Sequence, residues 1–117
     1  MKMSEEDCIF CNIARGKSSE KFVKESDNFV AFLDVNPVSE GHTLVVPKKH
    51  FVTLLDIPNT LGNEMLKMVK DVASGLLDEK KGDGFNLIMN NLECAGQVVK
   101  HAHVHVVPRK DGDGVRI

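Results

Sequence analysis

The chain has no run of lysine and arginine longer than a pair, as at Lys48-Lys49 and Lys80-Lys81, and its net charge is −2. A protein that follows a nucleic-acid backbone gathers its basic residues on one face, so binding to a nucleic-acid polymer is disfavoured. Apolar runs are equally short, a handful of residues each, and none is long enough to span a bilayer. The opening MKMSEEDCIF is acidic before its first apolar residues and lacks the pattern of a secretory signal. A cytoplasmic protein with no membrane partner is therefore expected. Internal repeats, low-complexity tracts and linkers are also missing. Cysteine is scarce: there are three, an odd number, and two form the C-x-x-C of Cys8 and Cys11. Without a secretory signal, that spacing points to metal or redox chemistry rather than to a structural disulfide.

What is present fits one domain over residues 1–117. A hydrophobic share of 42% supports a single core. A domain this small buries proportionally little surface, so a metal or a dimer interface would help to stabilise it. Ser4 followed by Asp7 suits a capping box before CIFCNIARG, which reads as a short helix ending at Gly16. KFVKES and NFVAFLDV are strand candidates joined by a turn at Asp27-Asn28. Asn36-Pro37 and Glu40-Gly41 mark a loop, and HTLVVPKKH reads as a strand stopped by Pro47. From Asn59 to about Lys81, Met65, Met68, Val69, Val72 and Leu76 follow helical spacing, with Asn59 as N-cap and Gly82 as C-terminal cap. GFNLIMNN and HAHVHVVPR are two further strands. This order predicts an α+β domain, an antiparallel sheet packed by the long helix on one face.

Histidine is concentrated. Of five, three occupy alternate positions in KHAHVHVVPR (100–109). Strand side chains alternate faces, so His101, His103 and His105 project together while Ala102, Val104 and Val106 project oppositely. Same-face neighbours lie roughly 6.6 Å apart, close enough to share a small ligand. Three imidazoles that close disfavour one another's protonation, so at least one stays neutral near pH 7 as nucleophile, base or metal ligand. A purely metal-binding H-x-H-x-H is the competing reading.

This segment resembles the histidine triad family, whose hallmark is H-x-H-x-H followed by apolar residues. GHTLVVPKKH (41–50), FLDVNP (32–37), MNN (89–91) and AGQVVKHAHVHVVPR (95–109) are similar to that family's successive motifs, in order. The resemblance covers roughly residues 7 to 110. It implies a five-stranded antiparallel sheet with two helices, a homodimer whose sheets join, and hydrolysis or transfer of a purine nucleoside monophosphate. The central histidine of the family attacks the α-phosphorus, and water resolves the nucleotidyl-histidine. A neutral imidazole meets an anionic phosphoryl group without adding negative charge, and its cationic adduct is a good leaving group.

By that pattern His103 is the nucleophile, and the carbonyl of His101 orients its ring. His105 and Gln97 would hold phosphoryl or leaving-group oxygens, with His42 beside the cluster. Backbone N–H groups from Gln97 through Val98 to Val99 could meet the phosphate. Asp34 takes the ribose position, where a carboxylate accepts from both hydroxyls. Asn90 falls near sugar and phosphate, and Ile9, Phe10, Ile13 and Phe32 fall where an apolar base slot is expected. Those four would serve equally as core.

No thioredoxin-like βαβ pattern surrounds the C-x-x-C, which favours zinc over redox chemistry. Zinc-containing members resembling this chain complete the pair with two histidines, here His50 and His101, giving one structural zinc per chain. Cys94 is then a partly buried bystander thiol. AGQVVKHAHVHVVPRK followed by DGDG resembles the dinucleoside polyphosphate hydrolase branch, while CIFCNIARG and PKKH resemble the phosphoramidase branch. Valine at 98 departs from the hydroxyl residue common in the latter. The alternative is a zinc-stabilised nucleotide-binding module with little turnover.

Overall fold

The computed structural model describes residues 8–18 and 20–116. Its order is α1 (Ile9–Ala14), β1 (Phe22–Glu25), β2 (Phe29–Leu33), β3 (Thr43–Pro47), α2 (Gly62–Asp78), β4 (Gly84–Ile88) and β5 (Val104–Arg109). The strands form one sheet in the order β1-β2-β3-β5-β4, every neighbour antiparallel. Hairpins join β1 to β2 and β2 to β3. The segment containing α2 then carries the chain across the sheet, and β5 returns between β3 and β4.

Both faces of the sheet are covered, not one. Phe29 and Ala31 of β2, Val45 of β3, and Val104 and Val106 of β5 pack on Met68, Val69, Val72, Ala73 and Leu76 of α2. The intervening residues, Val30, Phe32, Leu44 and Val46, pack on Phe10, Cys11, Ile13 and Ala14 of α1. A strand buried on both faces reads as a continuous apolar run, which is why FVAF and TLVV carry no polar alternation. Because Val104 and Val106 point to α2, His103 and His105 point to the face that α1 shares.

Element ends differ from the sequence reading in instructive places. Pro58 precedes a 3-10 turn over Asn59–Leu61, so the long helix starts at Gly62 and Asn59 is not its N-cap. It ends at Asp78 with Glu79 as C-cap, and Lys80 at φ 60 takes the left-handed position expected of Gly82. Gly82 serves a different purpose. A Cβ there would sit 2.8 Å from the Gly84 carbonyl oxygen and 2.9 Å from Pro108, so the glycine permits a close backbone crossing. The Ser4–Asp7 capping box lies outside the described residues. The α1 cap in this structure is Cys8, whose Sγ accepts from the Cys11 N–H at 3.4 Å.

β5 begins only at Val104, later than the sequence reading placed it. Its pairing with β3 runs from Thr43↔Val106 to Val45↔Val104 and stops short of Pro47. Proline has no N–H to continue the ladder. His101 and His103 lie just before the strand, where the Ala102 N–H between them donates to the Phe51 carbonyl at 2.6 Å. Helix α2 is tied to the β1–β2 turn through Glu64, which accepts from the Ser26 hydroxyl and from the Asn28 amide groups at 2.5–2.8 Å.

Candidate active site and metal centre

The start of β5 separates the three alternating histidines into two environments. His101 is fully buried, and its Nδ1 lies 3.3 Å from Cys8 Sγ and 3.4 Å from Cys11 Sγ. Nδ1 of His50, from the segment after β3, lies 3.1 Å from Cys11 Sγ. All four donor atoms fall within 4.8 Å of one another. A tetrahedral ion with metal–sulfur bonds near 2.3 Å and metal–nitrogen bonds near 2.0 Å holds such donors roughly 3.5 Å apart. The cluster could bind a metal, and its two sulfurs and two imidazoles are the donor set of a structural zinc site. The tautomer agrees. The Pro47 carbonyl, 2.8 Å from His101 Nε2, can only accept, so the proton sits on Nε2 and the Nδ1 lone pair faces the sulfurs.

His103 is oriented by the same logic turned round. Its Nδ1 donates to the His101 carbonyl at 2.7 Å, which leaves an unprotonated Nε2. The ring of Phe10 meets it edge-on, with centroids 4.9 Å apart. Burial lowers the His103 pKa, against weaker raising contributions from the His101 carbonyl and Asp34.

A second network sits beside it. The Val38 N–H donates to Nδ1 of His42 at 3.2 Å, so in the neutral ring the proton is on Nε2. That nitrogen stands 2.9 Å from His105 Nδ1 and 3.5 Å from an Asp34 carboxylate oxygen. His105 thus accepts at Nδ1 and keeps its own proton on Nε2. Asp34, His42 and His105 are close enough to suggest a second metal site. A proton fixed on His42 Nε2 argues instead for a hydrogen-bonded relay. Burial, then the neighbouring charges of His103 and His42, push the His105 pKa down to about 4.

These groups open on a cavity of about 610 Å³ between α1, the end of β2 and the loop before β5. Ile9, Phe10, Ile13 and Phe32 form its apolar wall, and Asp34, Asn90, Val98, His103 and His105 line it as well. Asp34 does two things: one oxygen accepts from the Asn36 N–H at 2.9 Å, closing the turn, while the other points to His42 and His105. Val99 lines the cavity as well, and Leu33, Val35, Ser18 and Glu20 also line it without having been singled out in the sequence. Val35 is 71% exposed, a placement set by the tertiary fold that residue spacing does not reveal.

Two expectations change. The Gln97 side chain does not line the cavity. Its amide donates to the Val52 carbonyl at 2.5 Å and accepts from the Leu92 N–H at 2.7 Å, which braces the loop from beneath. Leu92 adopts φ 75, a conformation that costs energy for a side chain of that size, and Gln97 holds its N–H there. Cys94 is exposed rather than partly buried.

Residues 15–112 match the HIT domain. The adenylylsulfatase HINT3 of Arabidopsis thaliana is 40% identical over 107 residues, covering 92% of this chain and 54% of that protein, so the chain spans about half of that relative's length. The adenosine 5′-monophosphoramidase HNT1 of Candida albicans is 38% identical over 112 residues, 92% of this chain and 74% of that protein. Among solved structures, a zinc-bound histidine triad family protein from Mycobacterium smegmatis is similar with a TM-score of 0.89 and 36% identity, over 97% of this chain and 83% of that one. With its paired networks on a five-stranded antiparallel sheet and this extent of match, the chain belongs to the histidine triad (HIT) family.

Proposed function

We propose that this chain is a nucleotide hydrolase or transferase that cleaves the α-phosphate linkage of a purine nucleoside phosphoramidate, mixed anhydride, ester or dinucleoside polyphosphate. The observation that carries the reading is the His103 ring, held by the His101 carbonyl with Nε2 unprotonated on the wall of the cavity. In this reading Nε2 forms a bond to the α-phosphorus as the bond to the leaving group breaks. His105, with its proton on Nε2, meets the phosphoryl or leaving-group oxygens. Water then displaces the nucleotidyl group and restores the neutral imidazole.

The base lies against Ile9, Phe10, Ile13 and Phe32, the ribose against Asp34, and Asn90 reaches sugar or phosphate. Val98 and its backbone border the phosphate, while Gln97 acts from below as a positioning residue. The names of the Arabidopsis and Candida relatives, an adenylylsulfatase and an adenosine 5′-monophosphoramidase, support an adenylyl group as substrate. One zinc held by Cys8, Cys11, His50 and His101 supplies structural cross-linking and takes no part in the bond changes.

We also propose that residues 1–117 act as one domain in a homodimer formed across the free edge of β4, where Phe85 and Leu87 are exposed. No helix among the described residues is long and apolar enough to cross a membrane. A cytoplasmic location is the reading we adopt. The experiment is a panel assay of wild type and His103→Ala with adenosine 5′-phosphoramidate, adenosine 5′-phosphosulfate and diadenosine polyphosphates. Turnover of at least one by wild type only is expected. Binding of 5′-AMP without turnover of any substrate would favour a nucleotide-binding module instead.

A further inference from the structure

The hydrogen bond between His42 and His105 has a rival acceptor beside it. His42 keeps its proton on Nε2 because the Val38 N–H occupies Nδ1, and that nitrogen stands 2.9 Å from His105 Nδ1 and 3.5 Å from Asp34 Oδ2. The same carboxylate oxygen lies 3.8 Å from His105 Nδ1. The main chain holds the group in place. The Asp34 N–H donates to the His42 carbonyl at 2.9 Å, and Asp34 Oδ1 accepts from the Asn36 N–H. Among the described residues no hydrogen bond reaches Oδ2, and Asp34 lines the cavity.

A carboxylate oxygen accepts more strongly than a neutral imidazole nitrogen, because it carries charge. Left unsatisfied, Oδ2 competes with His105 for the His42 proton. Each time it wins, His105 Nδ1 loses its donor, and the ring is free to carry its own proton on Nδ1 rather than on Nε2. The Nε2–H that meets the phosphoryl or leaving-group oxygens is then missing. Burial lowers the pKa of both rings and the Asp34 charge opposes it in each, so the carboxylate is felt at both. Two ribose hydroxyls donating to Asp34 would end the competition, because they occupy its free lone pairs and spread its charge.

We infer that ribose, by saturating Asp34, sets the proton arrangement of the His42–His105 pair, so that the sugar hydroxyls are read in the rate of bond cleavage as well as in binding. His42 is the positioning residue of this coupling, since it reaches the phosphorus chemistry only through His105. The inference rests on the reading of the cavity as a nucleotide site with ribose at Asp34. Contacts to a remote part of a substrate raise the rate only when they are used to arrange the reacting groups. A deoxynucleotide is therefore penalised twice. It forfeits its contacts with Asp34, and once bound it meets a proton donor that is present only part of the time.

The test compares, in the full chain, the panel substrate that wild type cleaves fastest with its 2′,3′-dideoxy counterpart. Single-turnover kinetics with enzyme in excess separate the cleavage rate from the half-saturating concentration. For wild type, the dideoxy substrate should bind more weakly and be cleaved roughly five-fold or more slowly at saturation, about what one hydrogen bond is worth. In His42→Ala, the cleavage rates of the two substrates should converge while the difference in binding persists. Asp34→Asn keeps an acceptor for the Asn36 N–H and removes the competing charge, so the rates should converge there too, even if His42→Ala does not fold. Weaker binding of the dideoxy substrate at an unchanged cleavage rate in wild type overturns the coupling and leaves ribose at Asp34. A rate gap that survives undiminished in either variant overturns the route through Asp34 and His42. Equal binding and equal rates in wild type remove ribose from Asp34, and the coupling with it. Turnover of no panel substrate overturns the hydrolase reading instead, and the coupling with it.

Discussion

Nε2 of His42 stands 2.9 Å from Nδ1 of His105, and neither ring can take up a second proton without placing a cation against its neighbour. Burial lowers both pKa values, and the charges of His103 and His42 help bring His105 down to about 4. The cluster is therefore neutral where an ordinary imidazole, with its pKa near 6.5, would be titrating. Turnover is expected to hold steady from about pH 8 to about pH 6. A pH profile of kcat/KM, with metal content followed because protonated ligands release metal, checks this. A fall with an apparent pKa near 6.5 would contradict it. Stability follows the same sign. The unfolded chain binds these protons more readily, so this contribution is complete above pH 6.5 and is lost as pH falls toward 4.

Removing His42 leaves the Val38 N–H without its acceptor and lets His105 take either tautomer. For His42→Ala, kcat is expected to fall by roughly ten- to a hundred-fold, short of the loss of a direct acid–base group. Steady-state kinetics decides the point. A rise in KM with kcat intact would mean that His42 contributes only to binding.

Gln97 is a buried brace between Val52 and Leu92. Gln97→Ala removes two part-buried hydrogen bonds, from the Leu92 N–H and to the Val52 carbonyl, worth about 0.5–1.5 kcal/mol each. Thermal denaturation should therefore shift clearly downward, with a loss of activity that follows the loosened loop. If the melting temperature stays at the wild-type value while kcat collapses, Gln97 meets the phosphate directly.

The metal assignment has a direct measurement. Protein purified without added zinc or chelator should contain close to one zinc per chain. Cys8→Ala should lower both that content and the melting temperature, because Cys8 is also the cap of α1. Equal metal content in wild type and Cys8→Ala removes Cys8 from the ligand set.

Much of this was legible in the residues. The alternation of His103 and His105 with Val104 and Val106 correctly separated cavity face from helix face. The resemblance groups Cys8, Cys11, His50 and His101, and their donor atoms lie within 4.8 Å of one another. Local chemistry was harder to read where tertiary contacts decided it. Gln97 resembles a phosphate ligand by position, yet a strained Leu92 N–H and the Val52 carbonyl, neither visible from spacing, claim its amide. Gly82 looked like a helix cap because glycine often is one, but the constraint there is the crossing with Gly84 and Pro108. The long-helix reading placed its start at Asn59, since a 3-10 turn shares polar residue preferences with a helix start. The second covered face of the sheet was implicit in the unbroken apolar runs of β2 and β3, yet the sequence order alone points to a helix on one face only.

The central claim is that His103 Nε2 forms the covalent bond to phosphorus. The most direct measurement is intact-protein mass spectrometry after a rapid acid-free quench of wild type with adenosine 5′-phosphoramidate, followed by peptide mapping of any adduct. A single adenylyl group on the peptide containing His103, absent from His103→Ala, is the predicted result. Turnover of the same substrate by His103→Ala at the wild-type rate, or an adduct mapped to another histidine, would contradict it.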